Sequence, residues 1–179
     1  FNGNANDESP NDLQATEVVA DPTSDRFGSS NSAYHFPTST SRITVQNDEA
    51  LQPLDEITVS IWFKAEAYGG NNLVSKGTNE NFYHRSYYLF GPNEMGYCRF
   101  RLVTGCDEPI NPPGDSHSGG QEDNLLSETA VGLEEWVHLV GTYDGEEMSI
   151  YINGILDAQM NKQGYICNVN SPMTIGNNI

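Results

Sequence analysis

Apolar side chains recur at every second position along much of this chain, in runs that suit short β-strands. The clearest case is 136–157, WVHLVGTYDGEEMSIYINGILD. Val137, Leu139 and Tyr143 alternate there with Trp136, His138, Val140 and Thr142. Asp144-Gly145 tolerates the positive φ angles of a hairpin turn. A second run follows, with Met148, Ile150 and Ile152 on one face and Ser149, Tyr151 and Asn153 on the other. Asn153-Gly154 is a hairpin signal that returns the chain through Ile155 to Met160. This stretch predicts a three-stranded antiparallel meander.

Shorter alternating runs predict strands over Thr16–Ala20 (ended by Asp21-Pro22), Ser32–Phe36, Ser41–Gln46, Leu73–Ser75, Tyr87–Phe90, Tyr97–Val103 and Pro172–Gly176. In Ile57–Lys64, Ile57, Val59, Ile61 and Phe63 face one way, with Trp62 among the residues opposite. Large residues on both sides predict that the end of this strand is covered on both faces. From Thr104 to Asn124 almost the only apolar residue is Ile110, which predicts a long loop. Leu125, Leu126 and Val131 then lead back to the meander. Helix periodicity is absent, and about ten to twelve short strands predict an all-β antiparallel β-sandwich or jelly roll. The length fits one domain over 1–179.

Charge narrows the partners. Eight basic side chains face 25 acidic ones, for a net charge of −17. Such a chain repels nucleic acid and anionic membrane, and its low apolar content leaves no stretch for membrane insertion. The acidity accounts for solubility, and it also offers oxygen ligands to a hard cation such as Ca2+. Residues 1–15, FNGNANDESPNDLQA, crowd Asn4, Asn6, Asp7, Glu8 and Asp12 together. Read alone they serve as a solvated entry to the first strand or as a calcium loop, without the ligand order of an EF-hand.

Three cysteines are too few for a disulfide framework. Cys98 shares a face with Phe100 and Leu102 and reads as a buried thiol. Cys106 and Cys167 lie in polar sequence, where an oxidising compartment would bridge them. A Cys98–Cys106 bond is disfavoured because an extended strand holds the pair too far apart.

Taken together, FNGNANDES at the start, DRFGSSNSAYHF at 25–36, ITVSIWFKA at 57–65, YYLF at 87–90, the 136–157 meander and SPMTIGN at 171–177 resemble the laminin-G-like, concanavalin A-like family of jelly-roll domains. No one of these motifs is diagnostic; their joint order is. The resemblance implies a secreted or cell-surface protein, and it points calcium to Asn4, Asp7 and Asp25, since the turn at Asp144 already explains that residue. The family also carries a strand before the first motif and a long one after the last. Their lack here implies a segment trimmed from a longer protein, or a β-strand supplied by a neighbouring domain or chain.

Catalysis finds little support. The Glu-x-Asp-x-x-Glu string of glycoside-hydrolysing relatives is absent, as are a Gly-x-Ser-x-Gly elbow and a His-Glu-x-x-His helix. His35, His84, His117 and His138 are scattered, and His138 belongs to a packed strand. The leading expectation is a non-catalytic module binding a polysaccharide or glycan, through aromatic faces beside amide and charged groups. Tyr68, Phe82, Tyr83, His84 and Arg85 qualify, set among Asn71, Asn72, Asn79 and Asn81. The same Phe82 and Tyr83 serve equally well to pin a loop to the core. Arg85 suits a uronate or sulfate, or a neighbouring glutamate. The rival is a structural or adhesive protein-contact domain without sugar binding.

Overall fold

The computed structural model describes residues 1–78, 82–106 and 119–177. Four strands precede residue 50: β1 (Ala15–Val19), β2 (Asp21–Thr23), β3 (Ala33–His35) and β4 (Arg42–Val45). The middle of the chain forms β5 (Ile57–Lys64), β6 (Asn72–Gly77), β7 (Arg85–Phe90), β8 (Tyr97–Cys106) and β9 (Gly119–Ala130). The meander is β10 (Trp136–Tyr143), β11 (Glu147–Ile152) and β12 (Ile155–Asn161), and β13 (Met173–Gly176) ends the set.

Two antiparallel sheets carry the fold, a seven-stranded one in the order β1-β4-β13-β6-β7-β8-β9 and a four-stranded one in the order β12-β11-β10-β5. The last strand therefore inserts between β4 and β6, with Ile175 opposite both Ile43 and Val74. Alternation decides which side chains meet between the sheets. Tyr87 and Leu89 of β7, Cys98, Phe100 and Leu102 of β8, and Leu125 of β9 pack against Val137, Leu139 and Tyr143 of β10 and Met148 and Ile150 of β11. Gly141 leaves no room for a side chain in this packing, since a Cβ there would stand 2.7 Å from the Phe100 ring.

Three expectations change. The Thr104–Asn124 stretch is not a loop throughout: β8 continues to Cys106 and β9 begins at Gly119, paired Thr104 to Gln121 and Cys106 to Gly119. Backbone pairing needs no apolar side chain, and β9 is an edge strand whose residues 121–124 are not fully buried. Ile110 and His117 lie outside the described residues. Asp21-Pro22 does not merely end a strand but opens β2, whose ribbon with β3 leaves Pro22 opposite Tyr34. Trp62 is only partly covered on its own face; it is 40% exposed.

Cys106 and Cys167 form a disulfide, their Cα atoms 5.6 Å apart, tying the end of β8 to the 162–172 segment. Gly120 has φ +87°, and a Cβ there would lie 2.9 Å from the Cys167 Sγ and 3.0 Å from the Cys106 Sγ, so the bridge requires glycine beside it. Cys98 is a buried free thiol whose pKa burial pushes up to about 12, with Asp157 adding to the effect.

Candidate functional site

The expected sugar-binding residues separate into two groups. Asn72 opens β6 opposite Phe90, whereas Arg85 opens β7 opposite Gly77. Five residue steps at about 3.3 Å place the two ends of this hairpin ~16 Å apart. At the first end, the Tyr68 hydroxyl donates to the Val131 carbonyl at 3.5 Å, and the buried Asn72 Oδ1 has no hydrogen-bond partner. At the second end, Tyr83 is exposed, His84 is partly buried, and the Arg85 guanidinium donates to Glu122 Oε2 at 2.9 Å. Asn79, Asn81 and the side chain of Phe82 lie outside the described residues.

The second end leads onto a face that the sequence reading missed. Opposite the core positions of β7 and β8 stand Tyr88, Phe90, Arg99 and Arg101, with Tyr88 paired to Arg101 and Phe90 to Arg99. The Tyr88 and Phe90 rings stack at 5.7 Å with 9° between planes. Arg99 lies over Phe90 at 3.9 Å, and Arg101 lies 4.9 Å from Phe90 and 5.6 Å from Tyr88. Arg101 Nε donates to Asn124 Oδ1 at 2.9 Å and approaches Glu122 Oε1 at 3.4 Å. One carboxylate, Glu122, thus serves both Arg85 and Arg101. Burial lowers the pKa of Arg99 and of Arg101; Arg101 adds to the lowering at Arg99, while Glu122 opposes it at both. Both guanidiniums stay charged at neutral pH. The cue in the sequence was Arg99-Phe100-Arg101, two outward cations flanking an inward aromatic in a strongly acidic chain.

Two concavities flank the sandwich. One, about 600 Å³, lies between β9 and β12 and is lined by Gln121, Asp123, Glu146 and Lys162 among others. Its lysine is already engaged, donating to Asp123 Oδ2 and to the Gln121 carbonyl. The other, about 260 Å³, is lined by residues of the 1–13 loop and by Ile43, Val45, Met173 and Ile175.

The calcium residues lie in loops that close on themselves. Asp7 accepts from the Ser9 and Leu13 amides and the Ser9 hydroxyl, each at 2.8 Å, and the Leu13 bond foremost holds its pKa down. Asp25 Oδ1 accepts the Phe27 and Ser29 amides, and Asn4 Oδ1 accepts that of Asn6. Among the described residues no group of three or more His, Cys, Asp or Glu is placed to hold a metal ion.

Residues 37–179 match a laminin G family model described as the concanavalin A-like lectin/glucanases superfamily. The chain belongs to this family. The laminin G-like chain is also 32% identical over 108 residues to human pentraxin-related protein PTX3, and 29% identical over 104 residues to the bovine protein. These matches cover 59% and 56% of the chain but only 23% and 22% of those proteins, so it spans about a quarter of the length of the curated relatives it matches. Among solved structures it superposes on domain 4 of AbnA, an extracellular arabinanase of Geobacillus stearothermophilus in complex with arabinotriose. That likeness has a TM-score of 0.62 at 15% identity, covering 99% of this chain and 80% of the other. A second likeness is to the CBM40 of a Ruminococcus gnavus sialidase bound to α2,3-sialyllactose, with a TM-score of 0.50 at 14% identity over 71% and 66% of the chains. At such identities these two superpositions speak for the fold.

Proposed function

We propose that this laminin G-like chain is a non-catalytic, lectin-like carbohydrate-binding module of a secreted or cell-surface protein. The observation that carries the reading is the outward face of β7–β9, where guanidinium, amide and carboxylate groups of Arg101, Asn124 and Glu122 sit side by side over buried aromatic rings. Rigidly supported polar groups of this kind are what fixes a hydroxyl-rich ligand in place. Support also comes from the fold shared with an arabinanase domain whose structure holds arabinotriose. The absence of a paired-carboxylate string agrees with a binding role. A glycan array, run with calcium and with EDTA, tests the reading. Saturable binding to a defined set of saccharides supports it, and no binding across the array removes it.

Calcium belongs to the same proposal and rests on the oxygen-rich composition of the 1–12 loop. An ion there competes with the amides of Ser9 and Leu13 that the two Asp7 oxygens now accept. The melting temperature rises with millimolar calcium if that exchange occurs; equal values in calcium and EDTA dismiss it.

A specific observation favours the second reading, a protein-contact module. Strand β5 ends the four-stranded sheet, and its core-facing Ile57, Val59 and Ile61 are only half-buried. A strand from a neighbouring domain or chain would pair with this edge and cover those residues. Hydrogen exchange of the β5 amides, with and without candidate neighbouring domains, tests it. New protection supports β-addition, and unchanged exchange with every neighbour removes it.

A further inference from the structure

Arg99 poses a question that its own fold leaves open. Its Nε is buried without a hydrogen-bond partner, and the Arg99 side chain makes no hydrogen bond or ion pair among the described residues. The chain has 25 acidic side chains and only 8 basic ones, so a carboxylate for Arg99 would be easy to supply. Instead three of the eight cations, Arg85, Arg99 and Arg101, lie close enough to influence one another electrostatically, and among the described residues Glu122 pairs with Arg85 and Arg101 but not with Arg99. A desolvated guanidinium without an anion is costly, and a site that keeps one is prepared for an anion from outside.

We propose that the face formed by Arg99, Arg101 and Arg85 binds the carboxylates of an acidic polysaccharide, a polyuronate. This rests on the sugar-binding reading and names its ligand class. The stacked rings of Tyr88 and Phe90 lie beneath Arg99 and Arg101 and fix how those guanidiniums are presented. Arg101 is further held by Asn124, and its side chain is 13% exposed, so the charge is recessed and weakly screened. A planar fork held in this way matches a planar carboxylate with two parallel hydrogen bonds. The chain's net charge of −17 repels polyanions elsewhere on the surface and leaves this face as the place they can approach.

The test compares polygalacturonate, alginate and hyaluronan with fully methyl-esterified polygalacturonate, neutral arabinan and dextran sulfate by titration calorimetry. Wild type should bind at least one of the three carboxylate polymers and lose it on esterification, which keeps the sugar and removes the charge. Arg99→Gln should weaken binding about tenfold, and Arg99→Lys should restore only part, because a point charge lacks the fork. Glu122→Gln should tighten binding about threefold in a protein that still melts cooperatively. Neutral-polymer binding alone, indifferent to Arg99→Gln, overturns the acidic ligand and leaves the lectin reading standing. Dextran sulfate bound as well as the polyuronate overturns the carboxylate assignment. Silence across this panel and the full glycan array overturns both readings.

Discussion

Outward from the four-stranded sheet, the Trp62 ring stacks on His138 at 4.9 Å and receives the Arg26 guanidinium at 4.4 Å, yet the residue is 40% exposed. Outward from the seven-stranded sheet, Tyr88 is fully buried and Phe90 is 7% exposed beneath two arginines. Both faces pair aromatic rings with guanidiniums. On the first, the cation comes from a distant loop and also lies over the Phe27 ring at 4.2 Å, which makes it a latch for the 21–35 ribbon. On the second, the cations stand on the adjacent strand, and Arg99 has no carboxylate partner among the described residues. The same contact therefore fastens a loop in one place and presents charge in the other. Alternation alone does not tell these uses apart.

The largest effect expected of a single change lies between the two faces. Gly141→Val puts branched carbons where even a Cβ meets the Phe100 ring at 2.7 Å and Leu89 Cδ2 at 3.1 Å. Both neighbours are fully buried, so the sheets have to part, at a cost of about 3 kcal/mol. Urea denaturation measures it, and a loss under ~0.5 kcal/mol shows that the inter-sheet packing is looser than described.

Lys76 is next. Its amine is buried on the inner side of β6, donating to Asn47 Oδ1 and the Val169 and Ser171 carbonyls. Lys76→Met takes the donor from the Val169 and Ser171 carbonyls, while Asn47 Oδ1 keeps the Gln52 side-chain amide, and should cost about 2–3 kcal/mol. Burial holds the amine at about pKa 8, below its ordinary 10.5. Between these values the unfolded chain binds the proton and the folded one does not, so stability rises with pH there. Wild type should therefore gain on Lys76→Met from about pH 8 to 10. A pH-independent difference rejects the buried-amine account.

The outward aromatics test the comparison directly. Phe90→Ala should cost about 3 kcal/mol and free Arg99 from its support, whereas Trp62→Ala should cost about 1 kcal/mol. Equal losses would mean that the two faces are packed alike.

The meander was legible because Asp144-Gly145 and Asn153-Gly154 punctuate strands whose inward residues are consistently apolar. Strand β9 was hidden because Gly119–Asn124 pairs through its backbone and spends no apolar residue on the core. The candidate site was half legible. Arg85 was visible as a cation among aromatics and amides, but joining it to Arg101 takes the register that sets β8 beside both β7 and β9. Nothing local to the sequence says that Glu122 lies opposite Val103. The oxygen-rich 1–12 loop was equally visible, but its composition does not reveal that the Asp7 oxygens already hold the Ser9 and Leu13 amides.

The smallest effect concerns the turn between β10 and β11, the best-read part of the chain. Asp144 Oδ1 accepts the Glu146 amide at 3.0 Å and the Glu147 amide at 2.9 Å, and these bonds, Glu146 first, hold its carboxyl below the usual range. A depressed carboxyl pKa stabilises the fold above the unfolded-state value and ceases to do so as pH falls through the folded one. Asp144→Asn keeps an acceptor oxygen but not the charge, so wild type should melt higher than the variant near neutral pH. That gap should close below about pH 4. Asp7→Asn should behave in the same way, since Asp7 organises the 1–13 loop through the same kind of bond. A gap that stays constant down to about pH 2.5 would mean that the turn depends on the shape of the side chain and not on its charge.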